Sequence, residues 1–158
     1  MVWESRGTGG TPLAVVHSGY GLTSMLGEVL DRLASHRQVV TIELQGHGHT
    51  RDVDRPFSVE AFGDDLAGLI ENLGLMQADL LGYSLGGGAC LRCGIQHPDR
   101  VLRLALVSIP IRRTQWRSTG ATGWVIRYRR CTHRLVRHLG RPRRNGRRTR
   151  PTVDRSGR

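Results

Sequence analysis

Residues Gly82, Ser84 and Gly86 form a G-x-S-x-G sequence between a short apolar run and an amphipathic stretch. This arrangement predicts a nucleophilic serine on a sharp strand-to-helix turn, because the two glycines remove Cβ atoms that would clash there. The helix that follows would direct its N-terminal N–H groups, with that of Leu85 nearest, at an oxyanion formed on attack. The spacing therefore indicates nucleophilic acyl chemistry at Ser84.

The segments around this turn alternate between predicted strands and predicted helices. Short apolar runs predict buried strands, and apolar residues at helical spacing predict helices between them. The predicted strands are 13–17, 39–44, 78–83 and 101–107, and the predicted helices are 24–35, 58–73 and 85–97. This alternation predicts an α/β fold with a parallel, helix-covered sheet. Residues 3–5 are interpreted as part of one further strand.

Three further segments carry a resemblance to a known family. The first, His17-Ser18-Gly19-Tyr20-Gly21, lies at the end of the first strand, and the second, Gln45-Gly46-His47-Gly48, follows the second strand. The third, Gln96-His97-Pro98-Asp99-Arg100-Val101, forms the end of the helix after the serine turn and the turn that follows that helix. Together with the serine turn, they make residues 3–111 resemble the N-terminal part of the α/β-hydrolase family, a truncated α/β-hydrolase fold. The resemblance implies a serine hydrolase that acts on an ester-like small molecule with no metal or organic cofactor. Related C–C hydrolase and cofactor-free peroxidase activities use the same parts.

The resemblance also implies roles for individual residues. Ser84 would be the nucleophile, and the backbone N–H groups of Leu85 and Gly19 would form the oxyanion hole, with Tyr20 as the alternative to Gly19. The tight nucleophile turn would be formed by Gly82 and Gly86.

The loop after the first strand departs from the family pattern at one position. Ser18 stands where the family usually has glycine, and its Cβ would cost about 1 kcal/mol if that position required a positive φ. The neighbouring histidine, His17, would be structural.

The acid and histidine that would activate Ser84 are not found in this sequence. The family order is serine, acid, histidine, whereas His133 and His138 precede the one downstream acid, Asp154. Residues 108–110, which follow the last predicted strand, contain no carboxylate. Because a serine without a base is a weak nucleophile, we expect this chain to be catalytically impaired. Without the later strands, we also expect strand 101–107 to be an unprotected sheet edge.

Charge divides the chain into two unlike parts. All 24 basic residues of the 158-residue chain are arginines, and this absence of lysine excludes a Walker-type phosphate loop and a pyridoxal Schiff base. Residues 1–110 hold 8 arginines and 12 acids, whereas residues 111–158 hold 16 arginines and one acid. We therefore divide the chain into a hydrolase-like part, 1–111, and an Arg-rich tail, 112–158, predicted to be disordered. The tail composition is typical of GC-rich DNA read out of frame, and we interpret it as a frameshift or truncation product.

The tail supports a second hypothesis about function. A segment of this charge would bind phosphates without sequence specificity, either on nucleic acid or on an anionic surface. The chain would then be a catalytically inactive remnant that binds through residues 112–158.

Other motifs carry weaker interpretations. Cys90-Leu91-Arg92-Cys93 is a C-x-x-C inside a predicted helix, and with no matching pair it is interpreted as core rather than a redox or zinc site. A dinucleotide site after the first strand would lack the third glycine and would need Glu43 to bind the ribose. The three sparse cysteines, the absence of a leader sequence and the absence of a long apolar window predict a cytoplasmic protein. Nothing in the sequence indicates the oligomeric state.

Overall fold

Buried apolar runs form the strands of one sheet in this computed structural model, which describes residues 1–109 and the backbone of residues 125–129. The strands are β1 (Val2–Arg6), β2 (Leu13–Val16), β3 (Val39–Glu43), β4 (Ala78–Tyr83), β5 (Val101–Val107) and β6 (Val125–Arg129). The helices are α1 (Gly27–Ala34), α2 (Val59–Asn72) and α3 (Leu85–Gln96), with a 3-10 turn at Thr23–Leu26. The predicted elements are confirmed to within one residue at each end, except that the first helix begins as the 3-10 turn.

The sheet has the strand order β1-β3-β2-β4-β5-β6. Strands β2, β3, β4 and β5 are parallel, which confirms the predicted α/β architecture. Residues 3–5 lie in β1, as predicted, and β1 pairs antiparallel with β3 at one edge. The carboxyl ends of the parallel strands therefore meet at one end of the sheet, where the loops after β2, β3 and β4 come together.

Helices cover both faces of the sheet, as the side chains of β2 show. Leu13 and Val15 pack with Leu30 of α1 in one cluster. Ala14 and Val16, which point the opposite way, belong to the larger core beneath α2 and α3. All four residues of β2 are buried, which explains why this strand is an unbroken apolar run.

The two cysteines of the C-x-x-C lie in the larger core. Cys90 and Cys93 are both buried on α3, so their interpretation as core residues is confirmed. Burial raises the pKa of the Cys90 thiol well above its usual value. Within the described residues, no helix is long and apolar enough to cross a membrane.

The expected exposed edge at β5 was wrong. The backbone of β6 pairs antiparallel with β5, placing residue 125 opposite Val107 and residue 129 opposite Arg103. The sequence pattern missed this strand because pairing is set by the neighbouring edge as well as by the local residues. The rest of the tail that was predicted to be disordered, 112–124 and 130–158, lies outside the described residues.

Candidate active site

Ser84 lies at the junction between β4 and α3, in a strained backbone conformation. Its φ is 52° and its ψ is −110°, a region that residues with a side chain rarely adopt. Its N–H donates to the Val107 carbonyl oxygen at 2.9 Å, and its own carbonyl oxygen accepts from the Gly88 N–H at 3.1 Å. These bonds to β5 and to the first turn of α3 hold the strained turn in place.

Two glycines allow the turn at Ser84, as predicted from the sequence. A Cβ at Gly82 would lie 2.3 Å from the Gly86 carbonyl oxygen, and one at Gly86 would lie 2.4 Å from the His17 carbonyl oxygen. The Gly86 N–H donates to that same His17 oxygen at 3.1 Å. The start of α3 therefore packs directly against the end of β2, which brings Ser84 beside the loop after β2.

The two residues predicted to supply the oxyanion donors are neighbours. A Cβ added to Gly19 would lie 3.6 Å from Cδ2 of Leu85. Both residues line the same cleft as Ser84. Neither backbone N–H makes a hydrogen bond to any residue that the structure describes. Both amides therefore keep an unused N–H donor within the described part of the chain.

Backbone strain in the loop after β2 falls on Tyr20 rather than on Ser18. Tyr20 has a φ of 59°, whereas Ser18 is not among the described non-glycine residues with positive φ. The Ser18 carbonyl oxygen accepts from the Gly21 N–H at 3.0 Å and closes a tight turn. The glycine-to-serine departure at this position therefore carries no left-handed penalty.

His17 is a structural residue that joins two loops, as the family resemblance implied. Its side chain is buried, and its Nε2 lies 3.1 Å from the Leu44 N–H, which can only donate. The other ring nitrogen, Nδ1, therefore carries the proton and donates to the Ser18 carbonyl oxygen at 2.6 Å. Burial lowers the pKa of His17, which keeps the ring neutral. With both nitrogens engaged, His17 cannot accept the Ser84 proton.

The loop after β3 is held by Gln45. This buried side chain donates through Nε2 to Asp52 at 2.6 Å and to the Val53 carbonyl oxygen at 3.1 Å. Its Oε1 accepts from Arg55 Nε at 2.6 Å. These bonds hold residues 52–55 against the carboxyl end of β3.

A cleft of about 730 Å³ opens where these loops meet. It is lined by Gly19, Tyr20, Gly21, Leu22, Gly46, His47, Gly48, Phe57, Ser84 and Leu85. Among these lining residues, none carries a carboxylate or a guanidinium group. The sequence did not identify His47 and Phe57 as cleft residues. Both follow β3, and they come near Ser84 only because the strand order of the sheet brings the loops after β3 and β4 together.

Comparison with known proteins agrees with this geometry. The family model for the alpha/beta hydrolase fold matches residues 11–125. The chain belongs to the α/β-hydrolase family.

Relatives of this α/β-hydrolase chain include enzymes with several substrates. It is 38% identical over 111 residues to 2-hydroxymuconate semialdehyde hydrolase of Pseudomonas sp. strain CF600, covering 65% of this chain and 39% of that protein. A thermophilic esterase from Thermogutta terrifontis superposes with a TM-score of 0.66 at 29% identity, over 70% of this chain and 41% of that one. An enol-lactonase from Burkholderia xenovorans LB400 gives 0.65 at 28% identity, over 70% and 44%. The chain thus spans about two fifths of the length of these relatives.

The acid and histidine of an α/β-hydrolase triad do not appear beside Ser84 in the described part of the chain. Ser108, which follows β5, has a φ of 56° but brings no carboxylate. His133, His138 and Asp154, the downstream candidates, lie outside the described residues.

Two histidines outside the cleft have carboxylate partners that the sequence did not reveal. His49 lies 3.2 Å from Glu43, and His97 lies 2.7 Å from Asp64. The Glu43 carboxylate also accepts from the His49 backbone N–H at 2.7 Å and is buried. Glu43 is therefore engaged within its own loop and is not presented as a ribose-binding acid.

Proposed function

We propose that this chain carries the nucleophile and oxyanion part of a serine hydrolase site for an ester-like small molecule. The observation that carries this proposal is the strained Ser84 at the start of α3, in one cleft with Gly19 and Leu85. The esterase and the enol-lactonase among the relatives support an ester-like carbonyl as the reacting group. No metal or organic cofactor takes part in the proposed reaction.

The proposed reaction is acyl transfer to water. Ser84 Oγ attacks the carbonyl carbon, and the oxyanion accepts hydrogen bonds from the N–H groups of Leu85 and Gly19. The α3 N-terminus adds a favourable field for that negative charge. When the tetrahedral intermediate collapses, the bond to the leaving group breaks and that group departs with the proton that Ser84 Oγ lost. Water then attacks the acyl carbon, the acyl–Oγ bond breaks, and the proton lost by the water returns to Oγ. Because His17 is fully bonded, it does not activate Ser84, and we expect the reaction to be much slower than with a complete triad.

Labelling with a fluorophosphonate tests the role of Ser84. We expect the probe to modify Ser84 slowly, as read by peptide mass spectrometry, and the Ser84→Ala variant to lose the label. Ser108→Ala is the matched control, since Ser108 also has a positive φ at the end of a neighbouring strand. Equal labelling of the Ser84→Ala variant would show that another residue reacts.

The Arg-rich tail supports a second candidate function, binding to nucleic acid. Residues 131–158 hold ten arginines. We expect the full chain to bind duplex DNA with an affinity that falls steeply as salt concentration rises, and a chain ending at residue 130 to bind much more weakly. Fluorescence anisotropy at several salt concentrations measures both. Equal affinity of the two chains would exclude residues 131–158 as the binding segment.

A further inference from the structure

His47 stands at the apex of a loop that two glycines shape. Gly46 and Gly48, on either side of it, have φ values of 70° and 54°. A Cβ at Gly48 would lie 2.5 Å from the carboxylate of Glu43, so the loop backbone packs closely against the end of β3. This local fold places His47 in the wall of the cleft that also contains Ser84.

The His47 ring is fixed in orientation and in tautomer. Its Nδ1 lies 3.0 Å from the Gln45 carbonyl oxygen, and its ring centroid lies 5.0 Å from that of His17 and 5.9 Å from that of Phe57. Since a carbonyl oxygen can only accept, Nδ1 carries the proton. In the neutral ring, Nε2 is then an acceptor, and it has no partner in the described part of the chain.

The cleft offers few other polar side chains. Among the described lining residues, the polar side chains belong to Tyr20, His47 and Ser84. The Tyr20 side chain is fully exposed to solvent, so the polar groups within the cleft wall are those of His47 and Ser84. A pocket of this kind gains specificity from a small number of placed polar groups on a mostly apolar surface.

We propose that His47 is a specificity-determining residue, whose Nε2 accepts a hydrogen bond from a hydroxyl or N–H group on the substrate. The inference rests on the proposed function of Ser84. It narrows the substrate class to compounds that carry a donor remote from the reacting carbonyl.

The spacing of the strands gives a scale for the distance between the donor and the reacting carbonyl. His47 follows β3 and Ser84 follows β4, and both strands flank β2. Neighbouring strands lie about 4.8 Å apart, so the two strand ends are separated by about 10 Å. A donor at the end of a hexyl-length chain is therefore a suitable probe.

Two fluorophosphonates with the same number of chain carbons, one hexyl and one 6-hydroxyhexyl, test the inference on the full chain. We expect the hydroxylated probe to label Ser84 about fivefold faster, the size of one net neutral hydrogen bond. In the His47→Phe variant, which keeps an aromatic ring between His17 and Phe57, the ratio of the two labelling rates should fall to about one.

The matched control is His49→Phe, a variant of the same loop at a residue that does not line the cleft. The preference should persist in this variant. A preference that survives in His47→Phe would overturn the proposal, and so would its equal loss in His49→Phe, which would indicate distortion of the loop.

A second measurement on the unmodified chain separates this inference from the function of Ser84. Hexanamide and 6-hydroxyhexanamide are titrated against the protein, and the Cε1–Hε1 resonance of the His47 ring is followed by NMR. Stronger binding of the hydroxylated amide with a shift at His47 supports the inference, even if neither probe labels Ser84 and the proposed function fails. Equal binding of both amides, or no shift at His47, overturns it.

Discussion

Backbone strain in this chain is concentrated at the ends of the parallel strands. The described non-glycine residues with positive φ are Tyr20, Ser84 and Ser108, which follow β2, β4 and β5 respectively. Such conformations cost about 1–3 kcal/mol each and persist only where the surroundings hold them. At Ser84 the surroundings are the backbone of β5 and the first turn of α3. At Tyr20 and Ser84 the strain therefore coincides with the lining of the cleft.

The buried neutral His17 gives a prediction for the pH dependence of stability. The unfolded chain takes up a proton at this histidine near pH 6.5, whereas burial holds the folded pKa lower. The unfolded state thus binds more protons below pH 6.5, and the free energy of unfolding should fall as pH decreases through this range. Above pH 6.5 the contribution of His17 to the free energy of unfolding is fully present and no longer changes with pH. Urea denaturation at a series of pH values measures the slope.

The variant His17→Gln has no titrating ring and isolates this effect. Its free energy of unfolding should change less steeply with pH between about pH 5 and 6.5. In the same range, Asp64 keeps its contribution, because the hydrogen bond to His97 lowers the pKa of its carboxyl from an already low value of 3.8. His36→Gln, the same substitution at an exposed histidine, is the matched variant with which the slope of His17→Gln is compared. An unchanged slope in His17→Gln would contradict the assignment.

At the scale of elements, α2 and α3 pack through a close backbone contact. A Cβ at Gly63 of α2 would lie 2.9 Å from the backbone nitrogen of Cys93 on α3. Ser58 caps the N-terminus of α2, and its Oγ accepts from the Ala61 N–H at 3.2 Å. The position of α3, and with it that of Ser84, thus depends on a helix that begins 26 residues earlier in the chain.

Substitution of the two glycines of α2 separates helix packing from helix propensity. Gly63→Ala should lower the free energy of unfolding by about 1–3 kcal/mol, because the added methyl forces the two helices apart. Gly68→Ala, where the Cβ meets nothing within 4 Å, should instead raise it by up to about 1 kcal/mol. Urea denaturation compares both variants with the parent chain. Destabilisation of equal size at both positions would show that the α2–α3 contact is not the cause.

At the scale of the molecule, the sheet is extended on the β5 side by a strand from the basic part of the chain. Strand β6 pairs along β5 from Arg103 to Val107. The family model matches to residue 125, so the similarity also reaches into the region where composition changes. The change in charge near residue 111 is therefore not a boundary of the sheet.

Two truncated chains test the contribution of β6. A chain ending at residue 111 should expose the edge of β5 and associate, because an open edge offers unpaired N–H and carbonyl groups to another molecule. A chain ending at residue 130 keeps β6 and should remain as dispersed as the full chain. Size-exclusion chromatography with light scattering measures the difference. If both chains associate alike, β6 does not protect the edge.

The sequence by itself determined the features that depend on local pattern. The period of apolar residues determined the strands and helices, and steric limits on Cβ atoms identified Gly82 and Gly86 as requirements of the turn at Ser84. These features could be predicted because each depends on residues within a few positions of one another.

Tertiary structure decided the features that join distant segments. The bonds of His17 to Leu44 and Ser18, the place of His47 in the cleft, the positive φ of Tyr20 and the pairing of β6 with β5 are examples. Each depends on which strands become neighbours, because strand order decides which loops meet at the carboxyl end of a parallel sheet. No local pattern in the chain contains that order, so the wall of the cleft could be described only from the folded molecule.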